Sequence, residues 1–212
     1  MGSERKLSPK EIARKEKIEA LVSEKEKEGY VKKDLTVSVL LANVLALFAA
    51  LPFIAVFVLL FCMLFNISGK EIDIGLIDFV FFYLAFFLSI VVHELIHGLF
   101  WGIGASKHFK SIEFGVIWKM LTPYCTCLEP LSKGRYILGT AMPGVILGIL
   151  PSIISLFTLN IGLLAFGCLS IMGAGGDILI IAKLLAHKSK SKDTIYLDHP
   201  YEMGLMVLEK KI

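Results

Sequence analysis

The chain has 212 residues, 56% of them hydrophobic, and a formal net charge of +3. Its mean hydropathy of +0.73 is too high for an ordinary soluble domain, and so small a charge does not indicate a nucleic-acid partner. Charge is concentrated near the two ends of the chain, so the composition predicts a polytopic membrane protein with polar termini.

The N-terminal segment, residues 1–34, is predicted to be charged, helical and cytoplasmic. Ser8 can cap a helix, Pro9 suits its first turn, and Glu11 completes a capping box. The helix is expected to stop at Gly29. It could lie on the membrane surface or extend into solvent. No cleavable signal peptide is predicted, because this charged segment precedes the first apolar run.

Four apolar runs between residues 35 and 186 are long enough to cross a bilayer, which takes about 20 residues. They cover residues 35–65, 74–102, 136–159 and 161–186. Pro52 predicts a kink or tilt in the first run, while Pro143 and Pro151 interrupt the third. We therefore predict a mainly α fold, a polytopic membrane protein with about four transmembrane helices. A cytoplasmic C-terminal tail at 187–212 follows this membrane domain.

The loop at 105–134 has the periodicity of a strand and not that of a helix. Apolar and polar residues mostly alternate from Ser111 to Met120, and a second strand can run from Thr122 to Leu128. Unpaired strand edges cannot face lipid, so this element must lie on the aqueous side or inside a protein cavity. We predict a small cytoplasmic-side β-hairpin between the second and third transmembrane helices.

Basic loops predict the orientation of the spans. Lys and Arg are frequent in the N-terminal segment, in the loop at 105–134 and in the tail, whereas the two remaining loops contain only Lys70. The positive-inside rule then puts the N-terminus, the hairpin and the C-terminus in the cytoplasm.

The last third of the second run contains His93-Glu94-Leu95-Ile96-His97. Histidines four apart lie on one face of a helix, so both imidazoles can reach one metal ion. Glu94 can face a water molecule at that ion and take its proton. Ionisable side chains at membrane depth are costly, which makes all three functional candidates. The competing interpretation is a pair of hydrogen-bonded core histidines.

Zinc catalysis requires three protein ligands and an open position for water. The third ligand should come from another helix at similar depth, and Asp177 is the acidic residue in the interior of a later run. His108 and Glu113 are the nearest alternatives, although both lie in the strand-forming loop. A buried Asp177 that serves only helix packing is the competing interpretation.

Four cysteines do not form a recognisable disulfide framework. Cys62 and Cys168 lie in apolar runs and are predicted to pack there. Cys125 and Cys127 form a C-x-C motif in the loop, for which free cytosolic thiols are favoured over a metal or redox role.

Two further histidines fall in the polar tail. His187 and His199 are expected to be solvated, although the sequence Asp198-His199-Pro200 could dock the tail against the cytoplasmic face.

These motifs together resemble a known family. HELIHGL at residues 93–99, followed two spans later by Gly175-Gly176-Asp177, resembles the site-2 protease family of intramembrane zinc metalloproteases. The succession of HELIHGL, PYCTCLEP, RYI, MPG and GGD is more closely similar to a bacterial and archaeal family of zincin peptidases of unknown function. The resemblance covers roughly residues 75–205.

The resemblance implies that His93, His97 and Asp177 bind Zn²⁺ and that Glu94 activates water. In site-2 proteases the aspartate usually precedes a glycine, whereas here glycines precede Asp177 and Ile178 follows it. The resemblance also implies β-strands beside the site, to which an unwound substrate could add as a strand. It implies the cytoplasmic membrane of a prokaryote as the location.

The first functional hypothesis is an integral membrane zinc metalloendopeptidase. It would hydrolyse peptide bonds of a membrane protein or peptide in or near the lipid bilayer. The alternative is a catalytically inactive metal-binding membrane sensor or adaptor. The presence of Glu94, for which such a protein has no need, favours the enzyme. A transporter with a His and Asp relay is a weaker third option, because four spans without an internal repeat argue against it.

Overall fold

The computed structural model describes residues 8–37, 39–68, 75–117, 122–189, 191, 193–200 and 204–211. In chain order, the helices and strands are α1 Pro9–Lys27, β1 Tyr30–Asp34, α2 Val39–Ser68, α3 Leu76–Gly104, a 3-10 turn His108–Ser111, β2 Ile112–Ile117, β3 Thr122–Cys127, α4 Lys133–Pro143, a π-helical segment Gly144–Ile149, α5 Leu150–Thr158, α6 Ile161–Gly173, α7 Gly175–Ala186, β4 Thr194–Asp198 and β5 Leu205–Lys210.

The apolar part of the chain is mainly helical, as predicted. Three stretches are long and apolar enough to cross a membrane: Leu41–Asn66, Leu76–Gly104 and the continuous helical stretch Lys133–Thr158. A fourth span forms if α6 and α7, which meet at a bend of 51°, count as one broken helix. The third span was expected to break at Pro143 and Pro151, but it is continuous. Pro143 ends α4 directly before the π-helical segment, and Pro151 lies in the first turn of α5.

The bend between α6 and α7 lies within the glycine-rich stretch from Gly173 to Gly176. Gly175 begins α7 directly against α2, where an added Cβ would lie 2.5 Å from the carbonyl oxygen of Ala46. Only a residue without a side chain allows this approach. The close contact holds the first turn of α7 against α2 inside the helix bundle.

The predicted β-hairpin is confirmed as the antiparallel pair β2–β3, in which Ile112 faces Cys127 and Gly115 faces Tyr124. Trp118 to Leu121, which join the strands, lie outside the described residues. The hairpin packs on α3 immediately after the histidine motif. Gly98 makes this approach feasible, since any Cβ there would overlap the ring of Phe114.

The capping box at Ser8 and Glu11 and the helix end before Gly29 are confirmed. The predicted alternative of α1 as an extension into solvent is wrong. Ile18 and Val22 are buried against strand residues, so the helix is packed onto protein. Because charged residues surround Ile18 and Val22 in the sequence, no clear apolar face could be recognised there.

The tail was predicted only as a polar cytoplasmic segment, and its strands were not predicted. Strands β4 and β5 pair with β1 in a three-stranded antiparallel sheet of order β1-β5-β4. The apolar run Leu205–Leu208 is fully buried in it. His187, expected in solvent, instead lies 3.0 Å from the carboxylate of Glu209 on β5. The N-terminal and C-terminal segments therefore lie on the same side of the helix bundle.

Candidate metal centre

Three side chains from two helices converge inside the bundle. His93 and His97 lie one turn apart on α3, and Asp177 lies in the first turn of α7. The Nε2 atoms of the two histidines are 3.2 Å apart. The carboxylate of Asp177 places Oδ2 3.1 Å from Nε2 of His93 and Oδ1 3.4 Å from Nε2 of His97.

These separations suit a tetrahedral metal site. Nitrogen and oxygen ligands at 2.0–2.1 Å from zinc, set at tetrahedral angles, lie about 3.3 Å from one another. All three measured distances fall close to that value. Among the residues that the structure describes, His93, His97 and Asp177 form the group of His, Cys, Asp or Glu side chains able to hold a metal ion.

The hydrogen bonds of His97 leave its Nε2 free for a cation. Nδ1 of this buried ring lies 2.9 Å from the carbonyl oxygen of Gly139 on α4. A carbonyl only accepts, so Nδ1 carries the hydrogen and Nε2 carries a lone pair. That lone pair and the oxygens of Asp177 converge on one point, and such a set of donors fits a zinc ion. Trp101 stacks on the other side of the ring, with centroids 4.9 Å apart.

Glu94 lies beside the cluster and not in it. Its carboxylate accepts a hydrogen bond from the backbone N–H of Cys125 on β3. The same strand therefore contacts the glutamate of the motif and faces the space next to the two histidines. Asp177, and not a third histidine, is the third member of the metal cluster.

The structure shows where the alternative metal ligands considered from the sequence lie. His108 lies in the 3-10 turn with a positive φ of 54°, and Glu113 on β2 pairs with Arg14 of α1 at 3.8 Å. Neither belongs to the metal cluster.

The thiol pKa of Cys127 is raised to about 12 by burial, and burial also raises the pKa of Cys125. Both are free thiols, as the sequence favoured, and neither is disposed to ionise.

The functional contact that sequence reasoning largely missed is Asp198, at the end of β4. Its carboxylate accepts hydrogen bonds from the hydroxyl of Tyr136, from Thr126 Oγ1 at 2.9 Å and from the N–H of Cys127 at 2.9 Å. Burial raises the pKa of Asp198, and these donors oppose that rise. The motif Asp198-His199-Pro200 was the available signal, and the docking it suggested is confirmed.

This network continues towards the metal cluster. The carbonyl oxygen of Tyr136 accepts a hydrogen bond of 3.2 Å from Trp101 Nε1, and Trp101 is the residue stacked on His97. Asp198 thus connects the tail sheet to strand β3 and, through Tyr136 and Trp101, to His97.

The chain was compared with known proteins. No curated protein and no solved structure matches it. The sequence profile of one protein family, described as "Putative zincin peptidase", matches residues 86–192. This range contains His93, Glu94, His97 and Asp177, together with the hairpin. The match extends over half of the chain, and the description of the family indicates a zinc metallopeptidase. The chain belongs to this zincin peptidase family.

Proposed function

We propose that the protein is an integral membrane zinc metalloendopeptidase that cleaves peptide bonds within or next to the bilayer. The observation that supports this most is the cluster of Nε2 of His93, Nε2 of His97 and the carboxylate of Asp177, each within 3.1–3.4 Å of the next. Glu94 beside these three atoms supplies the group that a peptidase needs and a purely structural zinc site does not.

The three ligand side chains would hold the metal and leave one position open. When bound, zinc would supply Lewis-acid polarisation of the scissile carbonyl and an acidified water. Glu94 would take the proton of the attacking water and then deliver it to the leaving amine. Gly139 orients His97 through its carbonyl, and Trp101 restricts the ring from the side. Both contacts hold the imidazole in the tautomer that can bind metal.

The position of the motif along α3 supports cleavage at membrane depth. His97 and His93 lie roughly 10 and 16 Å from the end of the helix at Gly104, at 1.5 Å per residue. A hydrocarbon core is about 30 Å thick. The hairpin packs alongside the last turns of α3, between Glu94 and this end. The basic residues of its loop, of the N-terminal segment and of the tail favour the cytoplasm. We propose that water reaches the site from this side.

Strand β3 is the proposed binding edge for the substrate backbone. The N–H of Leu128 bonds to Ser111 towards β2, whereas the N–H of Cys127 points away from β2 to Asp198. Backbone groups alternate along a strand, so Cys125 also points away from β2, towards Glu94. The outward N–H groups of Cys125 and Cys127 are already bonded and Pro123 has none, so an extended peptide would bond to this edge by donating its own N–H groups to the outward carbonyl oxygens of β3.

The second candidate function is a metal-binding membrane sensor or adaptor. It would use the same three ligands but would not need Glu94 or an open coordination position. The placement of Glu94 between the histidines and β3 favours the peptidase.

Removing the proposed third ligand should release the metal. In Asp177→Ala, the zinc content of the purified protein is expected to fall from one ion per chain to a small fraction, because two imidazoles alone bind zinc weakly. Elemental analysis after dialysis against a mild chelator measures it. Asp193→Ala, which alters an exposed surface pair with Lys210, is the control. Full zinc occupancy in Asp177→Ala would reject the assignment of Asp177.

A further inference from the structure

A cavity of about 170 Å³ lies directly against Asp177. It runs between α2, the third span and the broken fourth span. The lining side chains and backbone come from Phe53, Thr140, Gly144, Ile149, Ala174 and Asp177, with further apolar neighbours. We propose that this cavity is the binding pocket for one large apolar side chain of the substrate, next to the bond that is cut. The proposal rests on the proposed peptidase function.

The size of the cavity suits one side chain. An apolar cavity of about 150 Å³ in another protein accommodates a benzene molecule. The present cavity therefore has room for a phenyl ring or a branched aliphatic group, but not for a helix or a folded segment.

The chemistry of the walls requires an apolar occupant. The hydroxyl of Thr140 is already donated to the carbonyl oxygen of Tyr136 at 2.8 Å. The carboxylate oxygens of Asp177 point to the two histidines. The remaining lining residues are apolar or glycine, so a polar side chain would enter without hydrogen-bond partners and at a cost.

The backbone around the cavity keeps it open. Gly144 begins the π-helical segment of the third span, and Ala174 lies at the bend between α6 and α7. A Cβ on Gly144 would lie only 3.2 Å from the Cβ of Ala174, so small residues line the narrowest part. Two irregular helical segments thus meet beside a proposed metal ligand, and such π-helical turns are frequent at functional sites.

The depth of the cavity indicates which substrate residue it takes. Gly139, whose carbonyl holds His97, lies at the level of the metal cluster. Ile149 lies nearly three turns further from the cytoplasmic end of the same span, at about 3.6 residues per turn. Ile178 and Ile181 of α7 line the pocket on the cytoplasmic side of Asp177, and most of the other lining residues lie between the cluster and the middle of the bilayer. The pocket would therefore hold the residue on the membrane-interior side of the scissile bond.

Small zinc-binding compounds test this pocket without a known substrate. Acetohydroxamate and a benzyl-substituted hydroxamate share the metal-binding group and differ by one phenyl ring. With zinc-loaded full-length protein in lipid nanodiscs, the benzyl compound should bind about tenfold or more tightly, because burial of a ring of this size favours binding. Titration calorimetry measures both affinities.

Two variants of the lining keep the test specific. Ala141→Leu narrows the pocket and should remove most of the benzyl advantage while leaving acetohydroxamate affinity unchanged. Phe53→Ala widens it and should move the preference to a naphthyl compound. Ala55→Leu, on the lipid-exposed side of α2, is the matched control and should behave as the unaltered protein.

The outcomes separate the two proposals. If neither hydroxamate binds, the proposed zinc peptidase centre fails. If acetohydroxamate binds but the ring adds nothing, the pocket is not a side-chain site, and lipid filling it would give this result. If the benzyl advantage persists undiminished in Ala141→Leu, the ring binds elsewhere and the pocket proposal is overturned.

Discussion

Replacing Glu94 by Gln is expected to reduce peptide-bond hydrolysis by about 10²–10⁴-fold, the contribution typical of a positioned general acid and base. The amide has nearly the same shape and can still accept the hydrogen bond from the N–H of Cys125. It cannot take a proton from water. The metal ligands are untouched, so zinc content should stay at one ion per chain. The measurement is cleavage of a membrane-embedded reporter in proteoliposomes, together with elemental zinc analysis.

A charge-matched surface change provides the control for Glu94. Glu19→Gln removes a carboxylate that is 62% exposed on α1, where it pairs with Lys15, and should leave the rate unchanged. Reporter cleavage by Glu94→Gln at the rate of the unaltered protein would exclude Glu94 as the base. Loss of zinc together with activity would instead indicate that Glu94 helps to hold the metal.

Replacing Asp198 by Ala should have the largest effect on stability. The change leaves the hydroxyls of Tyr136 and Thr126 and the N–H of Cys127 without their acceptor. Each of these three unsatisfied buried donors costs about 1–3 kcal/mol, so the free energy of unfolding should fall by at least about 3 kcal/mol. For a chain of this size the melting temperature should fall by about 10 °C. Thermal unfolding of the protein in detergent, followed by tryptophan fluorescence, measures it.

The Asp198 network also predicts an effect on the metal centre. Tyr136 supports Trp101, and Trp101 stacks on His97, so zinc affinity should weaken in the variant at temperatures where it remains folded. Asp198→Asn, which keeps one acceptor oxygen, should fall between the two proteins in both measurements. Unfolding of Asp198→Ala at the same temperature as Asp193→Ala would contradict this description of the network.

The sequence predicted much of the helical bundle and the hairpin because their signals are local. Long apolar runs identified the spans, and alternation from Ser111 onwards identified the hairpin. The motif at His93 to His97 follows from helix periodicity, and Asp177 followed from the scarcity of carboxylates in apolar runs. The structure brings all three side chains within ligand distance of one another.

The three-stranded sheet β1-β5-β4 could not be predicted in the same way. Strand β1 is rich in charge, and it pairs with β5 about 175 residues later, as in the pair Val31 and Glu209. A pairing between the two ends of a chain leaves no local periodic signal. His187 was expected in solvent for this reason, because its partner Glu209 lies on a strand that was not predicted.

The most direct test of the zinc peptidase proposal is X-ray absorption at the zinc edge of the purified full-length protein. We predict one zinc per chain with two imidazole nitrogens and one carboxylate oxygen at 2.0–2.2 Å, and a fourth light ligand from solvent. Azide or acetohydroxamate should replace that fourth ligand. A site closed by four protein ligands that does not respond to either compound, or a protein without zinc, would contradict the proposal.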